Sequence, residues 1–426
     1  MNILQINNNH FIIGGAATYY FMTAELLEKH GHKSYFFSMH WPKNFPCDTS
    51  EYFMPYVDLN AEHSLFNQLK IAGRILYSFE ARSRLSDFLD RYPVDIAHLH
   101  NIYHGFSPSI LHELKKRKIP IVMTLHDYKL VCGSYILFLR GGTRGHICEK
   151  CSDGKYFMTV KNRCVKESYK KSILTALEMY FHHKILDIYR NVDIFIAPSL
   201  FLKNKFEEMG FTKEIVNLPY FIDTEKLKKY DEKIDSQYAE KGNYIIYAGR
   251  LSVEKGLLTL LDAVKLLYDK KKDFEIRIAG EGPMNELLQK KVREDGIDNV
   301  RFLGFLKSEE VYHEMKGSLA AVLPSEWYDN YPMSIIETFA MGVPLIGARI
   351  GGIPEMVIDN ETGLTFEPGN AQDLCQKLEY VLDNPGKVSI MGRNARAFVE
   401  KNLNAEDHYE KLIRIYQQAI HKNTEN

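Results

Sequence analysis

The chain has 426 residues, a length that predicts two domains of about 200 residues each rather than a single core. Its 54 lysines and arginines nearly balance its 55 aspartates and glutamates, which argues against a nucleic-acid partner and against an acidic disordered tail. No apolar run approaches the ~18 residues of a membrane span, and the start of the chain lacks the basic region of a signal peptide, so we expect a cytoplasmic location.

The first half of the chain, residues 1–218, predicts a parallel α/β domain. An apolar strand over 2–7 precedes Gly14 and Gly15, and a helical pattern over 16–29 follows, which is the opening of a Rossmann-like unit. Two residues without a Cβ atom would let a diphosphate approach the backbone, and a simple tight turn is the alternative. Further strands are expected at 34–38, 95–100, 120–126, 193–198 and 215–218, whereas residues 40–75 give no assignable pattern.

Two of these predicted strands end in histidine, at His100 and His126. Parallel strands bring their carboxyl ends to the same edge of a sheet, so both side chains could line a ligand cleft. For His100, a hydrogen-bonded structural role is the open alternative. Asp127 directly follows His126, and this pair favours a functional role for His126.

Residues 132–164 interrupt the α/β pattern and contain few apolar residues. Because the chain start lacks an export signal, disulfides are not the first expectation. Four thiolates could instead form a structural zinc site, while incidental free thiols or a redox pair are the alternatives. The four cysteines concerned are Cys132, Cys148, Cys151 and Cys164.

A long helical pattern over 168–189 carries aromatic residues and several cations. Such a helix could lie on a membrane surface or contact a lipid acceptor, which leaves open a peripheral contact with the inner face of a membrane. The pattern favours the alternative, in which an apolar stripe packs on the domain and the polar face is solvated.

Residues 219–242 are polar and charged, and they form the expected linker.

The strand and helix pattern restarts in residues 243–404, which predict a second parallel sheet with helical crossovers. A last amphipathic helix over 405–426 has no local partner, so we expect it to complete the first domain. The strands of the second domain are expected at 244–248, 274–279, 300–302 and 319–323, and late helices at 371–383 and 387–402.

Two cations, Arg250 and Lys255, follow the first strand of the second domain. They lie five residues apart, each beside a glycine (Gly249 and Gly256), in a strand–turn–helix frame. Two cations and a helix N-terminus can bind a diphosphate without a metal ion. Solvated surface cations are the alternative interpretation.

Two later turns in the second domain could also approach a ligand. Gly280 and Gly282 follow a predicted strand, and their backbone could come close to a bound molecule. Phe305 ends the next predicted strand, where backbone amides could contact the edge of a nucleobase. Each turn taken alone is also typical of ordinary α/β proteins.

The stretch 323–352 contains two carboxylates eight residues apart, Asp329 and Glu337. Pro332 favours the start of a helix, so Asp329 lies in the preceding loop and Glu337 lies inside the helix. A carboxylate can accept hydrogen bonds from two ribose hydroxyls, which suits Glu337. Asp329 could bind sugar hydroxyls or stabilise positive charge at an anomeric carbon.

These segments together resemble the retaining glycosyltransferases of family 4, also called group 1 glycosyl transferases. The resemblance covers nearly the whole chain and implies the GT-B fold, an α/β architecture of two facing Rossmann-like domains with an interdomain cleft. Where that family typically has a glutamate, this chain has Asp329, one methylene shorter. The most specific segments are 247–256, 278–283, 302–305 and 323–352.

The resemblance implies roles for the residues of the second domain. Arg250 and Lys255 would bind the donor phosphates, and Glu337 would bind the ribose. Gly249, Gly280, Gly282 and Phe305 would line the same donor site. One loop would hold the donor sugar through Asp329, Asn330 and Tyr331.

In the first domain, Gly15, next to Gly14, would lie under the diphosphate, and His126 would face the donor sugar or the reacting centre. Front-face substitution would then rely on leaving-group stabilisation, and no catalytic metal is expected. The residues expected to act in catalysis are His126, Asp329, Arg250 and Lys255.

The implied activity is transfer of a sugar from a nucleotide-diphosphate sugar to a saccharide or lipid-linked acceptor, in the synthesis of a cell-surface polysaccharide or glycoconjugate. A nucleotide-sugar epimerase of the same fold is one alternative, and it would act on donor alone. A non-catalytic scaffold that binds nucleotide sugars is the other alternative, although such a protein would not need two cations to bind the diphosphate.

Overall fold

The computed structural model of the chain describes residues 1–57, 64–223, 242–270 and 273–425. The chain divides into two compact units. The amino-terminal unit comprises residues 1–136, 149–219 and 408–426, and the carboxy-terminal unit comprises residues 137–148 and 220–407. Most of the expected linker, residues 224–241, lies outside the described residues.

The strands of the described residues are, in chain order, β1 Asn2–Ile6, β2 Lys33–Phe37, β3 Ile96–Leu99, β4 Ile121–Thr124, β5 Phe138–Gly141, β6 Arg144–Ile147, β7 Ile194–Ala197, β8 Ile215–Asn217, β9 Tyr244–Ala248, β10 Glu275–Ala279, β11 Val300–Gly304, β12 Ala320–Leu323, β13 Leu345–Ala348 and β14 Gly363–Phe366. The α-helices are α1 Gly15–Lys29, α2 Leu65–Leu76, α3 Phe79–Arg91, α4 Ile110–Lys116, α5 Phe157–Lys161, α6 Tyr169–Tyr180, α7 Leu200–Glu208, α8 Leu257–Tyr268, α9 Asn285–Glu294, α10 Ser308–Gly317, α11 Met333–Ala340, α12 Ala371–Asp383, α13 Pro385–Asn402 and α14 Ala405–Glu425. Within these residues, no helix is long and apolar enough to cross a bilayer.

The amino-terminal unit is built on a parallel sheet with the strand order β2-β1-β3-β4-β7-β8. Every residue of β3, β4 and β7 is buried, as expected for strands covered on both faces by helices. The predicted strands of this half are confirmed to within two residues at each end.

Helix α14 belongs to the amino-terminal unit from His408 onward. Its apolar stripe is buried against strand residues of the sheet, and two polar contacts fix its position. The Tyr416 hydroxyl lies 2.7 Å from His98 Nδ1, and the Tyr19 hydroxyl lies 3.1 Å from His408 Nε2. The stripe consists of Leu412, Ile415, Tyr416 and Ala419.

The carboxy-terminal unit has a parallel sheet in the order β11-β10-β9-β12-β13-β14. This is the strand order of a Rossmann fold, in which the winding direction reverses between the first and fourth strands of the sheet. Here the reversal falls between β9 and β12. Ligands of such sheets bind at the carboxyl ends of the strands on either side of the reversal.

The antiparallel hairpin β5–β6 lies with the carboxy-terminal unit, although the predicted first domain, residues 1–218, contained it. Arg140 pairs with Glu254 at 3.2 Å, and Arg144 pairs with Asp262 at 2.8 Å. Sequence periodicity cannot reveal such contacts, because they join residues more than 100 positions apart in the chain.

Two helical segments differ from expectation. The pattern over 168–189 breaks into α6 and a π-helical turn, Phe181–Ile185, rather than forming one long helix. Residues 40–75, which gave no assignable pattern, contain α2, whose N-cap Ser64 accepts a hydrogen bond from the backbone of Asn67. A serine cap of this kind is a recognised start signal for a helix.

We predict that acid destabilises the amino-terminal unit through its buried histidines. Burial lowers the pKa of both His98 and His408 to about 3. An unfolded histidine titrates near 6.5, so the stabilisation is present above that pH and is lost as the pH falls. At pH 5 each group should cost about 2 kcal/mol relative to pH 7.5.

The measurement is the pH dependence of urea unfolding of the chain, followed for the wild type and the His98→Gln variant. The variant should show a shallower loss of stability between pH 7.5 and 5. Exposed His146 provides the control, because His146→Gln should keep the wild-type slope. Equal slopes for all three proteins would contradict the assignment.

Candidate active site

The two loops at the reversal point of the carboxy-terminal sheet pack closely on each other. One contains the turn after β9, and the other runs from Pro324 to Pro332 after β12. Gly256 has a φ of +66°, and a Cβ atom there would lie 1.9 Å from the carbonyl oxygen of Pro324. Only glycine fits this position, so the glycine beside Lys255 has a packing role.

An ion pair joins these two loops. Lys255 Nζ lies 2.6 Å from Asp329 Oδ2, and the Ser325 hydroxyl donates to the same oxygen at 2.7 Å. The Asp329 side chain is only 8% exposed, so the pair is shielded from water. Lys255 Nζ also lies 5.3 Å from the centre of the Trp327 ring, within cation–π range.

The backbone of Asp329 is fixed as firmly as its side chain. Gly352 N–H donates to the Asp329 carbonyl oxygen at 2.8 Å. Gly351 has a φ of +62°, and a Cβ atom there would lie 2.2 Å from that same oxygen. The loop conformation therefore depends on two glycines that follow β13.

Gly280 and Gly282, which were predicted to let a ligand approach the backbone, lie close to other backbone atoms of the chain. Gly280 has a φ of +136°, and a Cβ atom there would lie 1.9 Å from the Gly249 carbonyl oxygen. A Cβ atom on Gly282 would lie 2.3 Å from the Leu251 carbonyl oxygen. These turns must contain glycine for packing, whatever ligand they bind.

Arg250 and Phe305 are two predicted donor-site residues with exposed side chains. Arg250 is exposed, and its side chain makes no hydrogen bond or ion pair with any described residue. Phe305 is 71% exposed at the end of β11. Both side chains extend from the carboxyl edge of the sheet, where a ligand would bind.

Glu337 lies in the second turn of α11. Burial of its carboxyl group raises the pKa to about 7, and the Tyr312 hydroxyl, which donates to it at 3.4 Å, opposes the shift. A carboxyl group with this pKa changes charge near neutral pH, which is typical of functional sites. Among the described residues, no side chain caps helix α11, so its first N–H groups lack a side-chain acceptor.

The remaining residues of the predicted sugar loop are buried. Asn330 is 7% exposed and Tyr331 is 5% exposed. The Tyr331 ring packs edge-on against Tyr220, with centroids 6.0 Å apart. Their side chains therefore stabilise the loop, and any ligand contact would use a small exposed part of them.

In the amino-terminal unit, Gly14 caps α1 with a φ of +101° and an exposed position. A Cβ atom on Gly14 would meet no atom within 4 Å, so this glycine is required for its backbone angle rather than for packing. Gly15 begins the helix, and no side chain caps the helix N-terminus. This end of α1 therefore offers free N–H donors beside open space.

His126 belongs to a buried chain of hydrogen bonds at the same edge of the sheet. His100 Nδ1 lies 2.9 Å from His126 Nε2, and His100 Nε2 lies 3.1 Å from Gln5 Oε1. Because the Gln5 oxygen can only accept, His100 donates from Nε2 and accepts at Nδ1 from His126. Burial lowers the pKa of His126 to about 3, so the ring is neutral.

The predicted zinc site is not supported. Across the described residues, which include all four cysteines, no group of three or more metal-ligating side chains could hold a metal ion. Cys132 Sγ instead lies 3.2 Å from the Ser134 hydroxyl, and Cys151 Sγ lies 3.7 Å from the Thr159 hydroxyl. Cys148 and Cys164 form no disulfide either, and the spacing in the sequence did not correspond to a tetrahedral cluster among the described residues.

Sequence reasoning missed Ser325 and Trp327. Ser325 orients the Asp329 carboxylate, and Trp327 has a buried indole N–H without a hydrogen-bond partner among the described residues. An unpaired buried donor is unusual in a folded protein and indicates a place for an acceptor. Proximity to Asp329 in the sequence was the only signal that could have identified either residue.

Comparison with known families gives two matches that together span most of the chain. The family described as Glycosyltransferase Family 4 matches residues 13–226. The family described as Glycosyl transferases group 1 matches residues 229–398.

An uncharacterised glycosyltransferase of Methanocaldococcus jannaschii is 24% identical over 341 residues, or 80% of both chains. A sulfoquinovosyl transferase of Arabidopsis thaliana is 32% identical over 160 residues, which cover 37% of this chain and 30% of that protein. Sucrose-phosphate synthase from Thermosynechococcus elongatus has a similar structure, with a TM-score of 0.67, 17% identity and 98% coverage of both chains. An Anabaena protein solved in complex with UDP has a TM-score of 0.63 and 15% identity, covering 98% of this chain and all of that one. These structural similarities confirm the predicted GT-B fold class.

We predict that the Lys255→Met variant loses about 3 kcal/mol of unfolding free energy, because it leaves the buried Asp329 carboxylate without its cation. Adding Asp329→Asn should restore part of the loss. The measurement is urea unfolding of the single and double variants. As a control, Lys265→Met removes an exposed pair with Asp269 and should cost less than about 1 kcal/mol. Equal losses for the two lysine variants would contradict this account.

Proposed function

Because this chain belongs to glycosyltransferase family 4 and is a nucleotide-sugar glycosyltransferase, we propose that it transfers the sugar with retention of anomeric configuration. The proposed acceptor is a saccharide or a lipid-linked saccharide, in the synthesis of a cell-surface polysaccharide or glycoconjugate. We further propose that the reaction takes place in the cytoplasm, where nucleotide sugars are made.

The observation that carries this proposal is the reversal point of the carboxy-terminal sheet. An exposed arginine without a hydrogen-bonding or charged partner among the described residues, an anchored lysine and a helix N-terminus without a described side-chain cap lie on the loops that meet there. Arg250 and Lys255 would receive the donor diphosphate, since paired cations and free N–H groups stabilise phosphate charge. Glu337 would accept hydrogen bonds from the ribose hydroxyls, and Phe305 would lie against the base.

The donor sugar would lie over the loop that contains Asp329, Asn330 and Tyr331. The Lys255 and Ser325 contacts leave Asp329 Oδ1 as the oxygen that could accept from a sugar hydroxyl. The Trp327 N–H, which has no partner among the described residues, would supply a donor for an oxygen of the same ligand. A buried loop with one acceptor and one donor favours a polar, hydroxylated group.

The proposed reaction proceeds on one face of the sugar. The bond between the anomeric carbon and the diphosphate oxygen breaks, and the acceptor oxygen bonds to the same carbon on the same face. The acceptor proton moves to a diphosphate oxygen, which therefore serves as the base. The contribution of the protein is to stabilise the leaving diphosphate through Arg250 and Lys255 and to align the two reactants.

We make two separate proposals for the amino-terminal unit. The backbone N–H groups near Gly14 and Gly15, at the open end of α1, would bind an anionic group of a ligand. His126, with its Nε2 proton directed to His100, would contact a sugar hydroxyl through its ring or its backbone.

The direct test is a transfer assay with the UDP-, GDP-, ADP- and dTDP-sugars, using oligosaccharide and lipid-linked acceptors, with NMR of the product anomer. UDP-glucose is the first donor to try, because a structural neighbour has been solved with it. An α-linked product from an α-linked donor supports retention. Conversion of donor without an acceptor would support an epimerase, and nucleotide binding without any transfer would support a scaffold.

We predict that Arg250→Ala lowers kcat/KM for transfer by about 100-fold or more while the melting temperature stays unchanged, because the exposed side chain stabilises charge that develops on the leaving group. The control is Arg293→Ala, another exposed arginine, which lies on α9. Loss of activity in both variants, or in neither, would contradict the assigned role.

We also predict that donor affinity rises with pH through the ionisation of Glu337. Only the carboxylate can accept hydrogen bonds from both ribose hydroxyls, and the pKa of about 7 sets the transition. Binding of the intact nucleotide sugar, whose diphosphate does not titrate in this range, should be about tenfold tighter at pH 8 than at pH 6. Glu337→Gln should weaken binding and abolish the pH dependence. A pH dependence that survives in this variant would contradict the role of Glu337.

A further inference from the structure

Helix α2 of the amino-terminal unit exposes its apolar side chains. Residues 66–70 are all exposed, and Phe66 and Leu69 have 77% and 74% of their surfaces in solvent. These two residues are three positions apart, so they lie on the same face of the helix. Among the helix residues whose burial is described, 66–76, Ile75 near the end is the buried one.

Helix α6 presents a second exposed apolar stripe. Tyr169, Ile173 and Leu177 are 57%, 45% and 55% exposed, and they recur every four residues. The opposite side of α6 is buried, including Thr175 and Met179, so the helix packs on the unit with its other face. The exposed stripe therefore does not contribute to the packing of α6 on the unit.

The two helices are neighbours within the amino-terminal unit. His182, in the π-helical turn that follows α6, donates from Nε2 to the carbonyl oxygen of Leu76 at the end of α2, at 2.7 Å. We call the exposed sides of these helices the α2/α6 face, defined by Phe66, Leu69, Tyr169, Ile173 and Leu177.

The charge around this face is strongly positive. Residues 64–76 and 161–177 contain seven lysines and arginines but only one acidic residue, Glu167. The whole chain has a net charge of −1, so this concentration of positive charge is local. Lys170 and Lys171 are both exposed, and Lys170 is three residues before Ile173 in the stripe.

We propose that the α2/α6 face binds the surface of a bilayer that contains anionic phospholipids. Exposed apolar side chains would enter the boundary between headgroups and acyl chains, and the surrounding cations would lie at the level of the lipid phosphates. The cations favour this surface over an uncharged apolar partner, because they complement its negative charge. The proposal concerns a separate surface and does not depend on the donor or on the reaction.

The test is flotation of the full chain with vesicles of phosphatidylcholine alone or with 30% phosphatidylglycerol. Wild type should float only with the anionic vesicles. Phe66→Ser combined with Leu69→Ser should reduce the bound fraction at least tenfold, and Lys170→Gln combined with Lys171→Gln should reduce the partition coefficient about 30-fold. Melting temperatures of all variants verify that they remain folded.

Matched controls come from the carboxy-terminal unit. Leu266→Ser with Ile390→Ser removes two other exposed apolar side chains, and Lys290→Gln with Lys401→Gln removes two other exposed cations. Both control variants should float like the wild type. The proposal is overturned if wild type stays unbound, binds both vesicle types equally, or binds undiminished after the α2/α6 changes. It is also overturned if wild type is a dimer in solution that the Phe66 and Leu69 changes convert to a monomer without altering flotation.

Discussion

The contact on which the carboxy-terminal unit most depends is the ion pair between Lys255 and Asp329. It joins the loops that follow β9 and β12, the two strands between which the sheet reverses its winding. Ser325 holds the same carboxylate oxygen, and glycines at 256 and 351 allow the surrounding backbones to approach. Because both charges are shielded from water, neither partner can be removed without leaving an uncompensated charge in the rim of the sheet.

This pair also sets the electrostatics of the proposed donor site. Asp329 already compensates much of the positive charge of Lys255, whereas Arg250 has no charged partner among the described residues. A diphosphate in this site would therefore contact Arg250, whose charge is not compensated by a described residue, Lys255, whose charge is shared with Asp329, and the N-terminus of α11. Shortening the family's usual glutamate to Asp329 is compatible with this arrangement, since the aspartate reaches Lys255 at 2.6 Å. In the proposed donor site, the chain would contribute a preorganised rim in which Arg250 carries the uncompensated positive charge.

The sequence predicted most of the parallel strands, because a buried parallel strand is a short apolar run bounded by glycine and polar residues. It did not predict β14 or the hairpin strands β5 and β6. It also predicted two pairs of site residues, Arg250 with Lys255 and Asp329 with Glu337, because each pair lies within its own strand–turn–helix segment. The contact between Lys255 and Asp329, which joins the two segments, has no signal in the sequence. Contacts between residues that are far apart in the chain could not be predicted from the sequence. Neither the pairing of Arg140 with Glu254 nor the packing reason for Gly280 leaves a periodic signal. The cysteines show the opposite error, since a suggestive spacing did not correspond to a metal-binding cluster.

The measurement that tests the central claim most directly is a thermal-shift titration with UDP, GDP, ADP and dTDP, with wild type and Arg250→Ala side by side. If the rim binds a nucleoside diphosphate, at least one nucleotide should raise the melting temperature of the wild type, by an amount that grows with the logarithm of its concentration. The same nucleotide should have little effect on the variant. An equal shift in both proteins, or no shift with any nucleotide, would contradict the claim that this rim is the donor site.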